Sequence, residues 1–461
     1  SGQLSSQGIM PSNRAAIVLP NGPEMATAFL SISSYMSAAP LNPSYKLKEY
    51  EFYLQDLMPK IVIVEKDSQN PAVEAAKNLG IEICEIKKID NAPAGIFNLY
   101  NKTTNFELAT ENNEALVLHT SGTTSRPKVV PLTNKNIFSS ATNIANSLQL
   151  SSQDHCYNIM PLFHIHGLIA VLSSSINAGA SVYASSGFNA LKFLETADKE
   201  TITWYSGVPT MHQAILMRAK KNPKLAEELS LRFIRSSSAS LPPAVFDELK
   251  KIFKTTVIEA YGMTEATHQM TSNPMPPEKQ KAGFVGKPAG PEVCIMDAQG
   301  NKLDSGVDGE VCIRGDNVTN GYENNEEANK TAFINGWFRT GDQGHFDNEG
   351  YLKISGRLKE IINRGGEKVS PLEVDNTLME HKAVEQVVTF AVKDNLLGEA
   401  IGVAIVLKSG IDCNETDIKN YARKHLADFK IPKYIRFLEE IPKGATGKLQ
   451  RIGLAEKLGL E

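Results

Sequence analysis

The chain has 461 residues, 41% of them hydrophobic and 22% charged, with a net charge of -4. That much apolar chain can build more than one packed core. Lys and Arg are scattered rather than clustered, which excludes a nucleic-acid footprint, and the most apolar runs, 167–172 and 401–407, are far shorter than a membrane span.

From the N-terminus, 15–19 reads as a buried strand. Asn21, Gly22 and Pro23 form a turn with proline opening a helix over 24–36, and 61–64 is the next strand. The alternation continues with a strand over 115–118, a helix over 134–148, a strand at 182–183, a helix over 191–196 and a strand over 201–205. Such alternation predicts an α/β fold in which parallel sheets are covered by helices. From 286 to 351 the texture changes to short alternating strands, at 292–296, 309–314, 345–346 and 351–355, between Gly, Asn and Asp turns. That is the pattern of a small antiparallel β-barrel. Beyond 356 comes a small α+β unit, with a helix over 371–381, strands over 384–392 and 400–407, and a helix over 415–425. There is no low-complexity linker and no internal repeat. The expected domains are 1–356, the large N-terminal one with its β-barrel, and 357–461.

Cys84, Cys156, Cys294, Cys312 and Cys413 are an odd number without CxxC pairing, so they read as reduced packing thiols of a cytosol-like compartment. His164 and His166 lack a third metal ligand at a recurring spacing and are not read as a metal pair.

Directly after the 115–118 strand, small residues, hydroxyls and one cation are compressed into the segment 118–128. Gly122 lets backbone approach a ligand, successive N–H groups can form an anion-binding concavity, and Ser121, Thr123 and Thr124 add hydroxyl donors for phosphate. In isolation the same cluster is equally an ordinary turn. It lacks the Gly-Lys-Ser/Thr ending of a Walker A loop.

Three further segments follow in order: Tyr261, Gly262, Met263, Thr264, Glu265; then Trp337, Phe338, Arg339, Thr340, Gly341, Asp342; then 442–448, ending in Gly447 and Lys448. With the 118–128 loop they resemble the core motifs of the adenylate-forming superfamily, which holds acyl-CoA synthetases, luciferases and peptide-synthetase adenylation domains. The resemblance runs from Ile17 to Arg451. It implies that a carboxylate attacks the α-phosphate of ATP, giving an acyl-adenylate and pyrophosphate, and that a thiol, here coenzyme A, then displaces AMP.

On that resemblance, Thr120, Ser121, Gly122, Thr123, Thr124 and Lys128 would hold the β and γ phosphates. Glu265 would ligate Mg²⁺, because a hard cation bridging phosphates commonly takes one carboxylate plus water, and Thr264 would reach the α-phosphate. Asp342 has two acceptor oxygens for the ribose hydroxyls, a task Arg357 can share, and Tyr261 has a flat face for adenine. Read singly, Asp342 could be a turn residue, Glu265 a charge at a helix start and Tyr261 a core aromatic. Lys448 would be the lysine that a mobile C-terminal lid brings over the site to bridge the acid and the α-phosphate. Lys359 matches the hinge about which that lid rotates, and Gly365 and Gly366 the loop that swings in on the CoA side.

The acid-facing segments depart from generic relatives. Ser236, Ser237 and Ser238 stand where many have a Gly-Gly-Ala or Gly-Ala-Ala run, and His268 where many have a small residue. A polar wall does not suit an alkyl chain, whose presence would leave buried donors unpaired. Together with the segment 160–167, which carries His164, this resembles the oxalyl-CoA synthetase branch and implies a small dianionic acid held by Ser237, Ser238 and a protonated His268. Val129 replaces a common glycine and Asn134 a common histidine. The rival readings are a medium-chain or aromatic, coumarate-like CoA ligase, which needs an apolar tunnel, and a non-catalytic nucleotide-binding relative, which would be expected to lose Lys448 or Glu265.

Residues 1–10 carry no secretory signal, and relatives begin earlier, so residues are expected before Ser1. The end at Leu460 and Glu461 is not the peroxisomal Ser-Lys-Leu and leaves no room for a carrier domain. The expected location is the cytoplasm, or the peroxisome if a C-terminal signal is missing. No integral membrane association is expected, and the oligomeric state is left open.

Overall fold

The computed structural model describes residues 1–120, 127–444 and 447–460. Strand Arg14–Val18 is flanked in parallel by Ser37–Pro40 and Ile61–Val64, and its alanines, Ile17 and Val18 are all buried. A strand paired on both edges and covered on both faces has no use for polar alternation, which is why the run is continuously apolar. This six-stranded sheet ends in Glu114–His119 and Val129–Thr133, which pair antiparallel. The 118–128 segment therefore spans a strand pair rather than a strand-to-helix turn. Residues 121–126 lie outside the described residues, and so do Ser121, Gly122, Thr123 and Thr124.

A second, seven-stranded sheet runs parallel through His155–Asn158, Trp204–Gly207, Phe233–Ser236 and Thr256–Met263, then antiparallel through His268–Ser272 and Lys287–Pro288. Helix Pro23–Ser33 and the buried π-helix His166–Ser173 lie in one core with both sheets, through Phe29, Leu168, Ile169, Ile17, Trp204 and Phe233. An antiparallel unit follows, in which Glu292–Met296, Gly309–Arg314 and Trp337–Phe346 pair in turn and Leu352–Arg357 adds to the last. The C-terminal unit is a five-stranded sheet packed against Pro371–Met379 and Glu415–His425, with Leu378, Val403, Ile405 and Ile418 in its core.

Four expected elements are shifted, each for a local reason. The helix expected over 24–36 stops at Ser33, because the chain turns through Ser34 and Tyr35 into the strand Ser37–Pro40. The helix expected over 191–196 is Phe193–Lys199; the Asn189 side chain accepts from the N–H groups of Leu191 and Lys192 and holds them in a turn. The next strand starts at Trp204 rather than 201, since Thr201 is left-handed at φ +48° and closes the helix. The strand expected at 345–346 is Trp337–Phe346: Gly341, at φ +74°, lets a ladder with two register shifts continue through what reads as a turn.

The C-terminal unit packs on the larger one. Thr210 Oγ1 donates to the Gly447 carbonyl at 2.8 Å and Gln213 Nε2 to that of Glu385 at 3.4 Å. Among the described residues no helix is long and apolar enough to cross a membrane. Cys84, Cys156 and Cys312 are buried packing thiols as expected, whereas Cys294 and Cys413 are only half-buried.

Candidate active site

Strand Thr256–Met263 delivers Tyr261 to the carboxyl ends of the parallel strands, and a single turn of 3₁₀-helix, Thr264–Ala266, follows it. Glu265 is buried there and accepts from the Tyr322 hydroxyl at 2.8 Å. Burial raises its carboxyl from the ordinary value, opposed by its own backbone N–H, Tyr322, Lys128 and Arg357. Lys128 Nζ lies 4.2 Å from the centre of the Tyr322 ring. Tyr322 thus touches both the candidate metal ligand and the candidate phosphate cation. It lies 57 residues from Glu265 in the chain, and no local pattern marks it.

The base of the 120–128 segment is tied. Thr120 N–H donates to the Lys128 carbonyl at 2.9 Å, and Lys128 N–H to Thr120 Oγ1 at 3.3 Å. Both departures beside it have structural places: Val129 is buried and pairs with His119, and Asn134 opens helix Asn134–Ser147 with its side chain on the Thr110 carbonyl at 3.2 Å.

Asp342 lies opposite Arg357 across the strand pair, with Arg357 Nε 3.3 Å from Oδ1, and its other oxygen accepts from the Tyr261 hydroxyl. Burial raises this carboxyl, with Arg357 and Tyr261 opposing. Asp342 is therefore a strand residue fixed by two partners, and Tyr261 supplies its hydroxyl as well as its ring. Lys448 reaches the same place from the lid. Its ammonium is lowered to about 8, by burial first and then by Arg357, against the attraction of Asp342 and Glu265. Four residues far apart in sequence, Glu265, Asp342, Arg357 and Lys448, form one electrostatic cluster with the lid in place.

The wall expected to face the acid differs in detail from expectation. His268 is buried at φ +92°, after Thr267 at φ +48°. That strained turn is held by Thr267 Oγ1 on the Asn317 carbonyl at 2.7 Å and by Asn317 Nδ2 on the carbonyls of Ala266 and Gln269 at 2.8 and 3.0 Å. The protonated His268 expected from the sequence is corrected: burial, then Arg235, His164 and Lys448, push its pKa well below the ordinary value, so the imidazole is neutral. Neither of its ring nitrogens has a hydrogen-bond partner among the described residues.

Ser237 is likewise corrected as a donor to substrate, since its hydroxyl donates to the Ala260 carbonyl at 2.9 Å from a fully buried position. Ser238, at φ +73°, does face the cluster, 3.0 Å from Nδ1 of His166. His164 is lowered to about 3 by burial and by Lys448. His166, read from sequence as an ordinary residue, proves central: its Nε2 is 2.6 Å from Ser206 Oγ and its ring centre 5.0 Å from that of His268. Arg235 has no place in the motif resemblance; its signal in the sequence is a lone charge following Phe233 and Ile234 in a buried strand.

Lys359 is exposed in the turn after Arg357. Gly365 and Gly366, at φ +64° and +95°, make the turn between Ile362–Arg364 and Glu367–Val369.

The chain belongs to the AMP-binding enzyme family and, within it, to the ATP-dependent acid–CoA ligases. The AMP-binding enzyme family matches residues 1–323 and its C-terminal domain residues 373–448. The chain is similar to an oxalate–CoA ligase of Arabidopsis thaliana, 46% identical over 97% of this chain and 89% of that one. It is also similar to an oxalate–CoA ligase of Saccharomyces cerevisiae, 42% identical over 97% and 87%. Among solved structures, ATP-bound MatB from Rhodopseudomonas palustris superposes with a TM-score of 0.88 at 26% identity, covering 98% of this chain and 90% of that one; its apo form reaches 0.77.

Proposed function

We propose that this ligase acts on oxalate, converting oxalate, ATP and CoA to oxalyl-CoA, AMP and pyrophosphate. The observation that carries the reading is the polar wall of His166, Ser238 and His268, electrostatically coupled to Lys448. An alkyl or aromatic tail there would leave buried donors unpaired, at about 1–3 kcal/mol each, whereas a second carboxylate gives them an acceptor. The names of the two relatives support the same acid.

In the first step a carboxylate oxygen bonds to the α-phosphorus and the bond to the β-phosphate breaks, releasing pyrophosphate. An anion approaches a polyanion, so the step needs fixed positive charge that strengthens as charge moves onto the leaving group. Lys448 supplies it between the acid and the α-phosphate, Thr264 adds a hydroxyl, and Lys128 with the 120–128 segment takes the outer phosphates. Asp342, oriented by Tyr261 and Arg357, receives the ribose hydroxyls. Glu265 fits Mg²⁺: it is a buried carboxylate with no ion pair among the described residues, and no group of three ligating side chains competes as an all-protein site. The ion, when bound, offsets phosphate charge. In the second step the CoA sulfur bonds to the acyl carbon and AMP leaves. We assign the lid to 357–461 with its pivot at Lys359, so that rotation withdraws Lys448 and brings Gly365 and Gly366 to the CoA side. We place the reaction in a reducing, cytosol-like compartment, in keeping with the free thiols.

A pyrophosphate-release screen with CoA and oxalate, acetate, hexanoate or coumarate tests the assignment. Oxalate is expected to give the highest kcat/KM. Preference for a medium-chain or aromatic acid would defeat the oxalate reading and leave the ligase class intact.

A further inference from the structure

Arg235 is fully buried in strand Phe233–Ser236, and its guanidinium makes no ion pair among the described residues. Its partners are neutral: Ser206 Oγ at 3.3 Å and Gln269 Oε1 at 3.1 Å, with Nε left without a partner. The carboxylate one step along the neighbouring strand, Glu259, pairs in register with Ser236 rather than with Arg235 and so belongs to the other face of the sheet. It is occupied there by the Leu241 N–H at 3.0 Å. Burial lowers the guanidinium only to about 9, so it remains charged at neutral pH. A buried cation without an anion is a strongly unfavourable arrangement, and a protein can hold it where a ligand completes the pair.

Around this charge the structure gathers the polar groups of the acid-facing wall. Ser206 links Arg235 to His166, His166 meets Ser238 and lies against His268, and neither ring nitrogen of His268 has a partner among the described residues. We propose that Arg235 is the counter-charge for the second carboxylate of the acid and the main determinant of dicarboxylate selectivity, with His268 and Ser238 orienting that carboxylate. This rests on the oxalate reading and deepens it. The acid then lies between two cations, Lys448 at its reacting end and Arg235 at its far end.

The discriminating substrate is oxamate, which matches oxalate in shape but carries an uncharged amide at the far end. Adenylation kinetics of both acids would be measured by pyrophosphate release in the wild type, in Arg235→Gln and in Gln269→Glu, alongside melting temperature and the KM for ATP. Gln269→Glu supplies Arg235 with a protein carboxylate where the neutral oxygen now sits, so it tests the charge even if Arg235→Gln fails to fold. Each variant is expected to narrow the oxalate-to-oxamate ratio in kcat/KM by about ten- to a hundredfold, with little change in the KM for ATP. Folded variants that keep the wild-type ratio, or lose both acids in proportion, overturn the role of Arg235. A wild type that ignores oxalate overturns the substrate reading alone, and the ratio is then read with its preferred dicarboxylate against that acid's monoamide. A wild type with no preference for any dicarboxylate overturns both.

Discussion

Lys448 sits where both signs of charge act on it, and its ordinary pKa cannot survive there. Burial and Arg357 lower the ammonium to about 8, while Asp342 and Glu265 limit the fall. On the role proposed for Lys448 the protonated form bridges acid and phosphate, so adenylation should be complete below that value and decline as pH rises through it. In kcat/KM, which reports the free enzyme, an alkaline limb near pH 8 is expected. His164, His166 and His268 are all pushed down by burial and by neighbouring cations, so none should add an inflection in the ordinary histidine range. Lys448→Ala should abolish pyrophosphate formation yet still transfer a supplied acyl-adenylate to CoA. Equal loss of both half-reactions in a folded variant would contradict the assignment.

Between strands Thr256–Met263 and His268–Ser272 the ladder shifts register between Tyr261 and Gly262, and the Gly262 backbone lies against that of the buried His268. Gly262 makes it possible: a Cβ there would lie 1.7 Å from the His268 carbonyl oxygen, a backbone atom that cannot step aside. Gly262→Ala should therefore destabilise by about 3 kcal/mol, the upper end for overpacking, and weaken ATP and acid binding together. Gly341→Ala is the control, because its Cβ meets nothing within 4 Å and only the positive φ is penalised, at about 1 kcal/mol. Urea unfolding of the two variants should separate them; equal midpoints would mean that the register shift can relax.

At the scale of the molecule, the C-terminal unit is docked with Gly447 on Thr210 and Lys448 among large-domain charges, the position that the proposed adenylation step requires. On the proposed mechanism the second half-reaction uses another position. Leu358 N–H is held by the Gly341 carbonyl at 2.9 Å and Glu360 N–H by that of Arg357 at 2.8 Å, so Lys359 lies between two anchored residues. Lys359→Pro fixes φ at that point. Pyrophosphate exchange should survive while CoA transfer falls by about tenfold or more, read separately in the two half-reactions. A parallel loss of both would place the pivot elsewhere.

Much of this was legible in the chain itself. Continuous apolar runs such as Ile61–Val64 need burial on both faces and so announce a parallel sheet; Glu292–Met296, Gly309–Arg314 and Glu415–His425 fall where the sequence pattern puts them. The motif residues Glu265, Asp342, Arg357 and Lys448 could be named because their segments resemble the core motifs of the adenylate-forming superfamily. The protonation state of His268, the Ser237 hydroxyl on Ala260, the grip of Tyr322 on Glu265 and the isolation of Arg235 could not be read in the same way. Each depends on which groups from distant strands share a low-dielectric space, and sequence spacing carries no information about that. The sequence determined the fold class, the reaction type and the motif residues. Tertiary structure alone decided which polar groups of the proposed acid site lack a partner among the described residues and which charge has no counter-ion there, because burial and hydrogen-bond competition are properties of the packed molecule.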